Sequence, residues 1–160
     1  MTEVGLNKTE VDTPFLWTDL DKLESNIQQL AGLFSEAGVQ WRPHIKGIKV
    51  PAIAHKAINA GAIGVTCAKL GEAEVMVDAG ITDILIANQL VTLQKITRLV
   101  NLCRRADVKV AVESKLNASM IGEAAAASGG EVGVVVELDT GMARAGVSPD
   151  EAAVEMSQFV

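Results

Sequence analysis

The chain predicts an α/β protein, a partial (β/α)8 barrel of TIM type built from about five parallel βα repeats. Three observations carry this. Short apolar runs alternate with half-apolar runs of helical period, and the pairs start roughly every 21 to 25 residues. Gly38, Gly61 and Gly80 stand where successive helical patterns stop. The core must be assembled from Val, Ile, Leu, Met and Ala, because aromatics are 3% of the chain and Tyr is absent. Small aliphatic residues suit helices packed on a parallel sheet buried on both faces.

Taken in order, residues 1–12 are polar and read as a flexible N-terminus. Residues 13–18 read as a short strand opened by Pro14. Asp21 and Glu24 have cap and N3 spacing, and Leu20, Leu23, Ile27, Leu30 and Phe34 recur every three or four residues up to Gly38. The repeats follow: strand 39–46 with helix 51–60, strand 63–67 with helix 70–79, and strand 83–87 with helix 92–105. Strand 108–112 with helix 116–128 comes next, then a fifth strand over 132–138. Ser148 as cap, Pro149 at N1 and Glu151 at N3 announce a last helix. Its inward side would carry Ala152, Val154, Met156, Phe159 and Val160. Five repeats make an open sheet or part of a barrel, since a closed eightfold barrel takes about 250 residues. The chain therefore reads as an N-terminal portion of a longer protein.

The 160 residues are 49% hydrophobic with mean hydropathy +0.27, the composition of one well-packed soluble domain. A net charge of -6 and an isoelectric point near 4.9 argue against nucleic acid or an anionic membrane as partner. Two cysteines, Cys67 and Cys103, imply no disulfide framework and make a reducing cytoplasm the default. The N-terminus lacks the apolar core of a signal peptide, and no apolar run approaches the roughly 18 residues of a membrane span.

In a parallel βα array the carboxyl ends of all strands and their loops share one rim. That rim would collect Arg42, His44, Lys46 and Lys49 from the first repeat, and Thr66, Cys67 and Lys69 from the second. Asn88, Gln89, Glu113, Ser114 and the loop 139–146 would complete it. Lys46 lies at a strand end before Gly47, with Arg42 and Lys49 adding positive charge that favours a neutral, nucleophilic amine. A solvated lysine beside a turn fits the same residues. His44 shares a strand face with Arg42 and Lys46; it could shuttle protons or satisfy a backbone carbonyl. In the fifth loop Gly141 and Gly146 bracket Arg144, whose guanidinium suits a phenolate, carboxylate or phosphate, or is simply a solvated loop charge. Cys67 and Cys103 read as buried hydrophobes and His55 as a surface or packing residue. No spacing of metal ligands, no GxGxxG and no Walker loop is present.

Several of these stretches together resemble a known family. Thr13-Pro14 with Asp19-Leu20-Asp21, then Arg42-Pro43-His44-Ile45-Lys46 closed by Lys49, are similar to the alanine-racemase-like barrel family of pyridoxal phosphate enzymes. The similarity is closer to its D-threonine aldolase and D-serine dehydratase branch. Gly64 to Lys69 with Glu72-Ala73-Glu74, and Ala79-Gly80-Ile81 with Asp83 to Ile86, resemble the second and third repeats of that branch. Asp139-Thr140-Gly141-Met142-Ala143-Arg144-Ala145-Gly146 resembles its D-x-G-M-x-R-x-G loop. The branch often has histidine where this chain has Ile48, a difference that points toward the hydroxyaspartate-type aldolases.

The resemblance implies that residues 13–160 are the N-terminal part of a pyridoxal-phosphate-binding barrel. Lys46 would hold the cofactor covalently, Arg144 would contact its phenolic oxygen, and His44 would lie near the ring as a second catalytic group. Gln89 and Thr66 are the further cofactor-binding candidates at the rim. The implied activity is that of a lyase on D-configured β-hydroxy amino acids: retro-aldol cleavage of D-threonine or D-3-hydroxyaspartate type to glycine and an aldehyde. Dehydration of D-serine or hydroxyaspartate, a non-catalytic cofactor-binding protein and an inactive piece are the alternatives. A divalent metal (Mn, Mg or Zn) is implied by the family, with ligands outside this chain. A cytoplasmic homodimer of the full-length protein is expected, with a D-amino acid as its small-molecule partner.

Overall fold

The computed structural model describes residues 5–160. Ten elements follow the predicted alternation: α1 (Leu20–Glu36), α2 (Pro51–Asn59), β1 (Val65–Cys67), α3 (Leu70–Asp78) and β2 (Asp83–Ile86) come first. Then come α4 (Leu93–Cys103), β3 (Asp107–Val112), α5 (Lys115–Ala127), β4 (Gly133–Val136) and α6 (Glu151–Phe159). The four strands form one parallel sheet in the order β1-β2-β3-β4. Consecutive strands lying side by side with a helix between them are the βα repeats of a barrel, here an arc that does not close.

The first predicted strand differs. Residues 41–45 are extended but joined to β1 only by a His44–Thr66 bridge. Three backbone bonds hold them parallel to β1 and the residues leading into it: Ile45 N–H to Thr66 O at 2.9 Å, Thr66 N–H to Pro43 O at 2.8 Å, and Ile63 N–H to Trp41 O at 3.1 Å. Pro43 has no N–H to give, which limits the ladder at this edge. The predicted strand over 13–18 is not formed either: the segment is unpaired and Leu16 stands fully exposed. Of the expected flexible N-terminus, residues 1–4 lie outside the described residues, and residues 5–12 are exposed or half-buried turns.

Two caps are corrected. Helix α1 is capped by Asp19, whose Oδ1 accepts Lys22 N–H at 3.1 Å, rather than by Asp21. Helix α6 is capped by Asp150, which accepts Ala152 N–H at 3.0 Å, rather than by Ser148. In each case the carboxylate immediately before the first helical residue takes the free N–H groups.

The core lies between the sheet and its helices. Val65, Cys67, Ile84, Ile86, Val108, Val110 and Val112 from the strands meet Leu70, Ala73, Met76, Ile96, Leu99 and Ile121 from α3, α4 and α5. At the two ends of the arc the helices are barely covered. Only Ile27 of α1 and Met156 of α6 are buried, so Leu30, Ala152, Val154, Phe159 and Val160, expected to face inward, are exposed. His55 reaches from α2 to Ala79 O at the end of α3 (2.8 Å), a packing role.

Candidate active site

The parallel pairing sends every strand's carboxyl end to one rim, and the residues there fall into two loops and the ledge between them. The first loop is a tight turn: Ile48 N–H and Lys49 N–H both donate to Ile45 O, at 3.0 and 2.8 Å. Lys46 and Gly47 form its middle, and Lys46 is exposed. The turn ends on Lys49 with φ +57°, a left-handed conformation that is unfavourable for a residue with a Cβ. Lys49 Nζ lies 3.7 Å from Oε1 of the buried Glu72. Glu72 stands at N3 of α3 and its other oxygen accepts Ala68 N–H at 2.8 Å.

This corrects the expected charge around Lys46. Lys49 is paired with Glu72, and Arg42 is not at the rim. Its guanidinium binds Asp83 at the start of β2, with Nη1 2.9 Å from Oδ1 and Nη2 3.1 Å from Oδ2, and Nη1 also donates to Asp83 O at 3.2 Å. Lys109 completes the group at 3.2 Å from Asp83 and 2.6 Å from Asp107. A Cβ on Gly64 would collide with the Arg42 guanidinium and Asp83 O, so glycine opens the path across β1. Burial raises the Asp83 carboxyl, but hydrogen bonds and charge from Arg42 and Lys109 outweigh it and hold the group below its ordinary value.

His44 is exposed beside Lys46. Its Nδ1 accepts the Lys46 backbone N–H at 3.3 Å, so the ring proton sits on Nε2. The backbone contact is thus with an N–H rather than the carbonyl considered above. Thr66 is buried next to His44 across the bridge, and its hydroxyl forms no hydrogen bond among the described residues. Gln89 is engaged: its amide donates to Glu137 Oε2 at 2.5 Å, joining the loop after β2 to the end of β4. Asn88 donates to Ala68 O at 3.0 Å.

The second loop carries Arg144. Asp139 Oδ1 accepts Gly141 N–H and Ala143 N–H at 2.9 and 3.0 Å. Those N–H groups hold the carboxyl below its ordinary value. Arg144 is exposed, and neither it nor Lys46 forms an ion pair among the described residues. Both follow the carboxyl ends of parallel segments, four inter-strand steps apart. At about 4.8 Å a step, that is about 19 Å along the curved sheet. Burial, with the Glu72 charge adding, pushes the Cys67 thiol up to about 12, and burial, with Asp107, pushes Cys103 up to about 11. Among the described residues no three His, Cys, Asp or Glu side chains gather as a metal site.

The sequence profile described as "Alanine racemase, N-terminal domain" matches residues 18–160. The chain belongs to that family. It is 38% identical over 148 residues to a D-threonine aldolase of Arthrobacter sp, covering 92% of this chain and 39% of the relative. It is 35% identical over 163 residues to the 3-hydroxy-D-aspartate aldolase of Paracoccus denitrificans, covering 96% and 40%. The crystal structure of D-threonine aldolase from Filomicrobium marinum superposes with TM-score 0.93 at 43% identity, covering 96% of this chain and 42% of that one. The chain thus spans about two-fifths of the length of these relatives. No helix among the described residues is long and apolar enough to cross a membrane.

Residues that sequence reasoning passed over are the carboxylates. Glu113 was visible only as a rim member and Glu72 only within Glu72-Ala73-Glu74, although Lys69-x-x-Glu72 already had cap and N3 spacing.

Proposed function

We propose that the full-length protein is a pyridoxal-phosphate-dependent lyase that cleaves D-configured β-hydroxy amino acids, of D-threonine or D-3-hydroxyaspartate type, to glycine and an aldehyde. The observation that carries this reading is an exposed primary amine, Lys46, in a turn at the same rim as an arginine loop, with no acidic partner for either cation among the described residues. Membership of the family and likeness to the two aldolases support it.

The residues present fit the cofactor. An unpaired amine is the group that binds an aldehyde carbon, and a guanidinium is the donor that steadies a phenolate. Lys46 would hold the cofactor covalently, and Arg144 would face its phenolic oxygen. Thr66 offers a hydroxyl without a hydrogen-bond partner among the described residues, and Gln89, whose amide donates to Glu137, would be the further contact at the rim. When bound, the cofactor supplies an electron sink for breaking a bond at the α-carbon. His44, with Nδ1 accepting the Lys46 amide, presents Nε2–H as a hydrogen-bond donor beside that turn, and the ring takes up a proton only at Nδ1, by giving up the amide. In the overall reaction the β-hydroxyl loses its proton, the Cα–Cβ bond breaks, and the α-carbon gains a proton to become glycine. A divalent metal near the hydroxyl would be held by residues outside this chain. Two free thiols suit a cytoplasmic setting.

The test is Lys46→Ala in the full-length protein incubated with pyridoxal phosphate. Visible absorbance that survives dialysis, and cofactor mass fixed to the chain by borohydride, should both be lost. Retention of either would remove Lys46 from the role. Product analysis decides the chemistry: an aldehyde with glycine upholds cleavage, whereas a keto acid would make the protein a dehydratase.

A further inference from the structure

The arginine loop is fixed far more tightly than an exposed loop requires. Its neck is closed by two backbone bonds, Asp139 N–H to Val147 O and Val147 N–H to Glu137 O, both 2.9 Å. At that neck Gly146 has φ +100°, and a Cβ there would sit 2.6 Å from Asp139 N and 2.7 Å from Leu138 C. The Gly146 N–H points to the neighbouring repeat, where Glu113 at the end of β3 accepts it through Oε2 at 2.5 Å. Inside the loop, Ala143 takes φ +50° without being glycine, and its N–H is held by Asp139 at 3.0 Å. Arg144 lies between these two anchors: the residue before it is pinned by one carboxylate, and the residue two after it by another.

We infer that Glu113 is a positioning residue for Arg144, holding the Gly146 amide so that the Asp139-capped loop presents the guanidinium at a fixed place on the rim. This rests on the cofactor reading for what Arg144 contacts, but the latch itself does not. A charged acceptor on a half-buried backbone donor is among the stronger hydrogen bonds available. Glu113 has no cationic partner among the described residues, so its carboxylate is committed to the loop.

Two measurements on the full-length protein test this. Without cofactor, amide exchange over 139–147 should quicken about tenfold in Glu113→Ala, while β3 stays protected. Glu113→Gln, which keeps an acceptor oxygen, should restore most of the protection. Unchanged exchange in Glu113→Ala overturns the latch. With cofactor, Glu113→Ala should weaken pyridoxal phosphate binding about tenfold in the wild-type background and less than about twofold in Arg144→Ala. Equal losses in the two backgrounds would show that Glu113 does not act through Arg144, and the inference falls. If the unmodified protein takes up no cofactor, the proposed function fails while the exchange result still decides the latch.

Discussion

The two ends of the sheet treat charge in opposite ways. At the amino ends of the strands, Arg42, Asp83, Lys109 and Asp107 neutralise one another across neighbouring strands. At the carboxyl ends, the carboxylates of Asp139 and Glu113 are turned onto backbone N–H groups, and Lys46 and Arg144 have no ionic partner among the described residues. The floor binds strand to strand, whereas the rim fixes loops and leaves cations available. That division is the one expected of a βα array, with stability at one end and chemistry at the other.

The comparison breaks most decisively at Lys46. Replacing it by alanine should abolish covalent cofactor and all turnover yet change unfolding free energy by no more than about 0.5 kcal/mol, because an exposed turn residue supports little packing. Urea denaturation beside activity checks this. A large loss of stability would mean that the rim, too, is structural. Next in size is the thiol at the border. Cys67 is the last residue of β1, yet its side chain is fully buried. Burial has raised it from 9.0 to about 12, which leaves about a thousandfold less thiolate at neutral pH. An aromatic disulfide reagent should therefore find Cys67 inert until denaturant is added. A fast native reaction would move Cys67 from the core to the rim.

The floor should answer with stability alone. Asp83→Ala leaves two half-buried cations facing each other, and should cost about 2 kcal/mol, a value reduced because Asp83 is a third exposed. Gly64→Ala should cost a comparable amount, since its Cβ meets a backbone oxygen that cannot easily move. Where either variant stays folded, cofactor binding should match the wild type. A variant that folds but cannot bind cofactor would tie the floor to the chemistry.

Much of this was legible in the chain and some was not, for physical reasons. Helix spacing and glycine stops are local signals, so the alternation of elements and the rim position of Lys46 and Arg144 follow from sequence and topology. The caps slipped by two residues each because Asp19 competes with Asp21, and Asp150 with Ser148, for the same N–H groups. Arg42 was misplaced although simple geometry forbids it a rim position. Four extended residues at about 3.3 Å each put it about 13 Å from Lys46. Its partner Asp83, 41 residues away, is set by strand order, which no local pattern reveals. Glu113 and Gly146, 33 residues apart, meet for the same reason.

The smallest effect lies in acid, and it separates the ends once more. Asp83 and Asp139 both have folded-state values below the ordinary 3.8. A lowered carboxyl contributes stability that is fully present above its unfolded value and is lost as pH falls through its folded value. Unfolding free energy should therefore stay level between about pH 7 and pH 5 as far as these groups are concerned, and decline below about pH 4. For Asp83 the loss is global, since its protonation frees Arg42 and Lys109 within the sheet; Asp83→Asn should start less stable and show a shallower acid decline. Asp139 is half-buried and its carboxylate holds only its own loop. Asp139→Asn should leave the global decline unchanged and instead quicken exchange of the Gly141 and Ala143 amides at neutral pH. An acid decline that survived intact in Asp83→Asn would mean that the floor's ion pairs add nothing to folding, and that the sheet is held by its aliphatic layer alone.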